Sequence, residues 1–160
     1  MPISANNTLS LDGKYVTGKK CGVFAHLPTP ANTTVTTADT YYPIQGNFTN
    51  SPMEDFSLAT DKLQYDGTKT QYFEIDWHAT VAADDASTQI NIGIKVNGTL
   101  CDSSVMGTYL KNAGQFYAIS GTSVCELSTG DTVQLVLTTD GDGDVITVQH
   151  FTTTLSEFFD

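Results

Sequence analysis

Arginine is absent from this sequence of 160 residues, and lysine, with seven copies, is scarce. Arginine is the side chain that forks onto phosphates and guanine edges, so its absence argues against a nucleic-acid-binding protein. The 18 acidic residues bring the net charge to −11, which repels phosphate groups and anionic lipids. We therefore expect neither a nucleic acid nor a membrane among the partners.

Cysteine and long apolar runs are also scarce. The three cysteines, Cys21, Cys101 and Cys125, permit at most one internal disulfide, and their spacings match no zinc-site pattern. We predict that they are buried or unreactive thiols. No segment approaches the roughly 20 apolar residues of a membrane-spanning helix, and the polar N-terminus lacks the apolar run of a signal peptide.

The motifs of common enzyme classes are missing as well. There is no Gly-x-Ser-x-Gly elbow and no glycine-rich phosphate loop, and the three histidines lie far apart, at His26, His78 and His150. A catalytic group assembled from distant residues stays open, because its members need not be neighbours in sequence. We predict no enzymatic activity, no catalytic or metal-binding residues and no cofactor.

One acidic segment has an aspartate at every second position. Asp140, Asp142 and Asp144 resemble the start of an EF-hand calcium loop, which needs glycine at its sixth position and an acid at its twelfth. Val145 and Phe151 occupy those positions instead. The segment is therefore predicted to be an acidic turn, with a weak surface cation site as the alternative.

What the sequence has in abundance is threonine and short alternating segments. Threonine occurs 25 times and is favoured in strands. The alternating segments lie between clusters of Gly, Asn, Asp and Pro, a pattern typical of antiparallel sheets. We predict an all-β fold, an antiparallel sandwich of about ten short strands.

The clearest strand is Gln71–Val81, whose odd-numbered residues from Phe73 onward are all apolar and should face the core. The segment from Leu127 to Phe151 is predicted to form two strands joined as a hairpin at Asp140–Asp144. A second hairpin is predicted at Asn97-Gly98. Other predicted strands are Cys21–Leu27, Thr33–Thr37, Tyr41–Ile44, Gln89–Val96, Thr99–Met106, Gln115–Ile119 and Val124–Leu127.

The N-terminal residues differ from the rest in charge. Residues 1–20 carry three lysines against Asp12, a net charge of +2, whereas residues 21–160 carry four lysines against 17 acids, or −13. We therefore predict an extended arm, residues 1–20, ahead of one β-domain, residues 21–160. The arm residues predicted to dock onto an acidic surface are Lys14, Tyr15, Lys19 and Lys20; a solvated tail is the alternative.

Most aromatic residues are expected in the core, but some occur as doubled pairs. In Phe116-Tyr117 and Phe158-Phe159, one ring of each pair must face away from its own core. Such a ring leaves apolar surface for another copy of the chain. The residues that we predict at an interface between copies are Tyr65, Phe116, Tyr117 and Phe158.

Several motifs occur in a characteristic order. They are Gly67, Tyr72–Ile75, Ile94–Gly98, Leu127–Val133 and the final Phe-rich strand. Their order resembles the jelly roll of the tumour-necrosis-factor and complement-head family, over roughly residues 21–159. The most specific of them is the L-x-x-G-D-x-V turn at Leu127–Val133. The resemblance implies two antiparallel sheets in a jelly-roll sandwich and three copies around a threefold axis.

With neither a signal peptide nor a stalk, the chain looks most like the phage versions of this fold. These occur as capsid decoration (cement) trimers and as fibre heads. The resemblance then implies a virion structural protein, a homotrimer that binds the major capsid protein on the outer capsid surface after assembly in the host cytoplasm. A receptor-binding fibre head is the main alternative. A secreted trimeric ligand lacks its signal here, and a cupin-like enzyme lacks its histidine cluster.

Overall fold

The structure is a computed structural model, and it describes residues 8–9, 15–16, 23–26, 29–50 and 55–157. In these residues the regular elements are fourteen strands and no helix. The strands are β1 (Thr8–Leu9), β2 (Tyr15–Val16), β3 (Val23–His26), β4 (Ala31–Val35), β5 (Tyr42–Pro43), β6 (Thr49–Asn50), β7 (Phe56–Ala59), β8 (Lys62–Tyr65), β9 (Gln71–Ala83), β10 (Thr88–Val96), β11 (Thr99–Leu110), β12 (Tyr117–Leu127), β13 (Thr132–Thr139) and β14 (Asp144–Glu157).

Twelve of the described strands form two antiparallel sheets of six. Sheet I has the order β11-β10-β13-β8-β7, with β5 also paired to β13. Sheet II has the order β12-β9-β14-β3-β6, with β4 also paired to β14. Ten of these twelve strands have four residues or more, so the prediction of an all-β sandwich of about ten strands is confirmed.

The core lies between the two sheets and is built from the alternating positions that the sequence indicated. On β9 the odd-numbered residues from Phe73 to Val81 are all buried, as predicted. The facing strand β10 contributes Ile90, Ile92 and Ile94. Alternation puts every second side chain of a strand on the same face, which explains why both sets enter one core.

The strand β13 differs from its prediction because it is buried on both faces. Val133, Leu135 and Leu137 face the core, but Gln134 and Val136 on the other face are buried too. The amide of Gln134 donates to Asp61 Oδ2 at 2.7 Å, which satisfies its polar group. The strand lies in the middle of sheet I, with neighbours on both sides.

The predicted hairpin at Asp140–Asp144 is wrong in its pairing. The strands on either side, β13 and β14, exist, but β13 pairs in sheet I and β14 in sheet II. The acidic turn therefore crosses from one sheet to the other at the end of the sandwich. Alternation reports which residues face the core but not which strand lies alongside, so the sequence alone did not distinguish the two arrangements.

The two predicted strands Gln115–Ile119 and Val124–Leu127 are one continuous strand, β12. Its register with β9 runs without a break from Tyr117 to Leu127. The polar segment between them remains in the strand, where Gly121 lies opposite Trp77. A Cβ at Gly121 would lie only 2.6 Å from Trp77 Cζ2, so the large indole occupies the space that a side chain would need.

Two predicted turns are present. Val96 pairs with Thr99 across the Asn97-Gly98 turn, and both turn residues have positive φ (51° and 82°). Two consecutive positive φ values are those of a type I′ hairpin turn. The turn of the L-x-x-G-D-x-V motif also has a glycine at positive φ, Gly130 at 90°, whose amide donates to Tyr65 O at 2.7 Å.

The arm residues contain a short strand pair, since β1 pairs with β2 in antiparallel register. The predicted boundary at residue 20 lies in the segment 17–22, outside the described residues. Of the described segments, none forms a helix long and apolar enough to span a membrane.

Candidate interaction surface

One side of the sandwich is formed by the edge strands β11 and β12, and we call this side the β11–β12 edge. The two strands belong to different sheets but lie next to each other. A Cβ at Gly121 of β12 would lie 2.8 Å from Met106 Cγ of β11, and Cys101 Sγ of β11 is 3.5 Å from Cys125 Sγ of β12. The edge is therefore a continuous surface that spans both sheets.

Exposed apolar side chains concentrate at this edge. Among the described residues, five large hydrophobic side chains are 43–53% exposed. Met106 and Tyr109 lie on β11, Val124 lies on β12, and Phe116 directly precedes β12. The fifth, Tyr72, lies on β9, which pairs with β12. A concentration of exposed apolar side chains on one side of a molecule favours an interaction site there.

The edge is also poor in charge. Asp102 is the only charged residue of the 12 in β11, and Glu126 is the only one of the 11 in β12. Neither strand contains lysine or proline, the residues that commonly protect an exposed edge from pairing with another chain. Low charge is also typical of the centre of a protein interface.

The aromatic residues predicted at an interface between copies differ in their exposure. Phe116 is exposed, whereas Tyr117 packs partly against the core, so this doubled pair does point in two directions. Tyr65 is 1% exposed and lies inside its own chain's core, where its hydroxyl donates to Lys69 O at 2.9 Å. The ring of Tyr65 is therefore occupied within one chain. Phe158 lies outside the described residues.

The predicted arm residues are mostly outside the described part of the chain as well. Lys14, Lys19 and Lys20 fall in segments 10–14 and 17–22, which the structure does not describe. Tyr15 lies on β2, opposite Leu9 of β1. Their role in docking stays a prediction.

The cysteines at this edge form a small polar cluster with two serines. Cys101 is opposite Ile94 and Cys125 is opposite Phe73, so both thiols face the interior of the sandwich. Ser123 Oγ lies 3.3 Å from Cys101 Sγ, and Ser103 Oγ lies 3.1 Å from Ser123 Oγ. Two cysteines that are 24 positions apart in the sequence are therefore neighbours, because the sandwich brings β11 and β12 together.

The two thiols have different acidities. Burial raises the pKa of Cys101, but hydrogen bonds from Ser103, Ser123 and Cys125 outweigh burial and bring its pKa below the ordinary value. Burial, followed by the hydrogen bond to Cys101, raises the pKa of Cys125 to about 11. Cys125 therefore stays protonated, and its S–H group donates a hydrogen bond to the sulfur of Cys101.

The acidic turn uses its carboxylates to hold neighbouring backbone. Asp142 Oδ1 accepts the amide of Ala38 at 2.6 Å, and Asp140 Oδ1 accepts the amide of Gln89 at 2.9 Å. These contacts fasten the crossing between the sheets to two other segments. In the described part of the chain, no three His, Cys, Asp or Glu side chains are grouped so as to hold a metal ion.

Sequence reasoning missed most of the exposed residues at the edge. Tyr109 belongs to the aromatic residues, most of which are expected in the core, and neither Met106 nor Val124 is predicted at an interface. A usable signal was present in β11, where Val105, Gly107 and Tyr109 alternate with Met106, Thr108 and Leu110 so that neither face is wholly polar. That pattern indicates a strand with apolar groups on both faces, which needs cover on both.

Comparison with solved structures identifies the fold. No protein-family model matches the sequence, and no curated protein matches it either. Murine APRIL matches the structure with a TM-score of 0.55 at 8% identity, over 84% of this chain and 98% of APRIL. Eiger TNF from S. frugiperda matches with a TM-score of 0.56 at 9% identity, over 88% of this chain and 96% of Eiger. The chain therefore has the jelly-roll fold of tumour necrosis factors, as the order of its motifs predicted.

Proposed function

We propose that this protein is a non-enzymatic structural protein that assembles as a homotrimer through the β11–β12 edge. The observation that carries the proposal is the combination of two long, adjacent edge strands with four of the five strongly exposed hydrophobic side chains of the described chain. The fold of Eiger TNF supports the same assembly, because the tumour-necrosis-factor family forms trimers around a threefold axis.

Physical chemistry favours covering this edge with another copy rather than with water. Full burial of an apolar side chain contributes about 1.5–3 kcal/mol, and these side chains, already about half buried, can gain roughly half of that. Only two charged residues in 23 would need to be desolvated or paired on β11 and β12. Within the described strands, β11 and β12 each have a partner on one side only, and a neighbouring chain can pair with the backbone groups on the other side.

The trimer acts as a capsid decoration protein that binds the major capsid protein on the outer surface of a virion. Support comes from the charge difference between the arm, at +2, and residues 21–160, at −13. The arm residues Lys14, Tyr15, Lys19 and Lys20 contact acidic loops of the shell, while the acidic body faces its basic patches. Assembly takes place in the host cytoplasm. The trimer stabilises the head because separating capsid subunits also breaks its contacts.

Mass measurement in solution tests the assembly. Sedimentation equilibrium should give about 52 kDa, three times the chain mass of 17.2 kDa. The same value should persist on dilution to the low micromolar range. A mass of one chain at every concentration would contradict the homotrimer.

Co-sedimentation with undecorated capsids tests the role on the virion. A decoration protein pellets with capsids, whereas the receptor-binding head of a phage fibre, the main alternative, stays in the supernatant. Replacing Lys14, Lys19 and Lys20 together by glutamate should abolish pelleting and leave the mass of the trimer unchanged. Full capsid binding by this variant would contradict the role of the arm.

A further inference from the structure

The β11–β12 edge holds two cysteines whose placement suits a reaction that the proposed function does not require. Cys101 lies on sheet I and Cys125 on sheet II, and their sulfurs are 3.5 Å apart. A disulfide needs about 2.05 Å between sulfurs, so the two atoms must approach by roughly 1.5 Å. The hydrogen bond from the Cys125 thiol to the Cys101 sulfur already directs the two groups toward each other.

We propose that Cys101 and Cys125 form a peroxide-sensitive disulfide that covalently joins the two sheets at the β11–β12 edge. Cys101 is the thiol that reacts with the oxidant, and Cys125 resolves the product. The bond is made within one chain and needs no second copy, but assembly through the β11–β12 edge would cover Cys101 and should slow its oxidation.

The surroundings give the two sulfurs distinct roles. Cys101 is partly exposed, and the neighbouring Ser103 is exposed, so a small oxidant reaches this sulfur from solvent. Cys125 is buried, which keeps it from reacting first. The Cys101 sulfur accepts hydrogen bonds from the side chains around it, and such bonds stabilise the thiolate that serves as nucleophile.

The reaction balances with one molecule of hydrogen peroxide. The Cys101 thiolate attacks one peroxide oxygen, the O–O bond breaks, and hydroxide leaves and takes a proton as water. Cys101 is now a sulfenic acid. The Cys125 sulfur then attacks the Cys101 sulfur and breaks its S–O bond, and the departing oxygen takes the Cys125 proton as a second water. Two thiols lose two electrons, and one peroxide is reduced to two waters.

The disulfide would link residues 24 positions apart in sequence. It would close the side of the sandwich where β11 and β12 touch without belonging to a common sheet. A cross-link of this kind restricts the unfolded chain, so oxidation should raise Tm by about 5–10 °C. Reduction with dithiothreitol should reverse the change.

The first experiment uses the full chain and stoichiometric hydrogen peroxide. Thiol titration after denaturation should show the loss of two of the three thiols, and intact mass should fall by about 2 Da for the two hydrogens removed. Peptide mapping should find Cys101 joined to Cys125. An unchanged mass, or a bond that involves Cys21, would overturn the proposal.

Variants separate the two roles. Cys125→Ala should stop at the Cys101 sulfenic acid, which dimedone traps, whereas Cys101→Ala should leave Cys125 unreacted at the same dose. Cys21→Ala is the matched control and should form the disulfide at the wild-type rate. The proposal is wrong if the Cys125→Ala variant keeps a native circular dichroism spectrum but gives no dimedone adduct, because Cys101 is then not the thiol that reacts with peroxide.

The pH dependence gives a separate readout. Because the pKa of Cys101 is lowered, its alkylation by iodoacetamide should reach half of its maximal rate at a lower pH than that of an unperturbed cysteine thiol. Cys125, with a pKa raised to about 11, should resist alkylation throughout the neutral range. Ser123→Ala should move the Cys101 profile to higher pH, because one stabilising hydrogen bond is lost. Equal profiles for both thiols would contradict the assignment.

Discussion

The two sides of the sandwich end in edge strands of different length. On one side the edge strands β11 and β12 have 12 and 11 residues, whereas on the other side β7 and β6 have four and two. Short edge strands offer a neighbouring chain little backbone to pair with. The far side is thus protected by its geometry, and the β11–β12 edge has no such protection.

The two sides also use their apolar side chains differently. On β7, Phe56 is buried, and its ring centroid lies 5.1 Å from that of Tyr65 and 5.2 Å from that of Phe73. At the β11–β12 edge, Met106 and Val124 remain about half exposed. We conclude that Phe56 on the far side stabilises the single chain, whereas Met106 and Val124 keep apolar surface that is available for association.

The largest effect on stability should come from the far side. Phe56→Ala removes one ring of the three-ring cluster and should lower the free energy of unfolding by about 3–5 kcal/mol. Urea denaturation measures this. The exposed neighbour Ser57→Ala, on the same strand, should change stability by no more than about 0.5 kcal/mol. If Phe56→Ala loses no more free energy of unfolding than Ser57→Ala, the far side does not stabilise the single chain through this ring, and the contrast between the two sides is wrong.

The largest effect on association should come from the β11–β12 edge. Met106→Lys combined with Val124→Lys should weaken the trimer at least ~100-fold, because two hydrophobic contacts per chain are replaced by charges that resist burial. Sedimentation over a dilution series measures the change.

The matched control for association is Ser57→Lys, at the edge strand on the far side of sheet I. Lysine lowers the net negative charge in both proteins, so general electrostatic repulsion between copies does not explain a weaker trimer. Equal weakening by Ser57→Lys would place the interface elsewhere.

A smaller effect should appear where the two strands of the β11–β12 edge touch. Gly121→Ala puts a Cβ within 2.6 Å of Trp77 and 2.8 Å of Met106, and should lower the free energy of unfolding by about 1–3 kcal/mol. Thermal denaturation measures it, with the exposed neighbour Ser120→Ala as control. If Gly121→Ala leaves the free energy of unfolding unchanged, β11 and β12 are not closely packed against each other.

The smallest effect should come from the acidic turn, which belongs to neither side. Asp142→Ala removes the acceptor for the Ala38 amide and should lower the free energy of unfolding by about 1 kcal/mol, with no change in association. Asp85→Ala, at a nearby exposed acid, is the control for the loss of a charge. Both variants remove one negative charge, so a difference in their Tm values isolates the hydrogen bond.

The sequence allowed the core to be predicted in more detail than the candidate surface. Alternation on β9 and β10 identified which residues face inward, because burial of one sheet face imposes a period of two. The Asn97-Gly98 turn was also found, since its positive φ values demand these residue types. The sequence could not tell which aromatic residues are exposed, because an aromatic residue in a strand fits either a core or a surface: Tyr65 is inside, and Phe116 is outside.

The sequence by itself determined the fold class and the inward-facing residues of β9 and β10, since alternation is a local property of the chain. Only the tertiary structure decided that β13 and β14 lie in different sheets and that β11 and β12 meet as unprotected edges. It alone also brought Cys101 within 3.5 Å of Cys125. The physical reason is that strand partners are chosen by long-range packing, which no local pattern records.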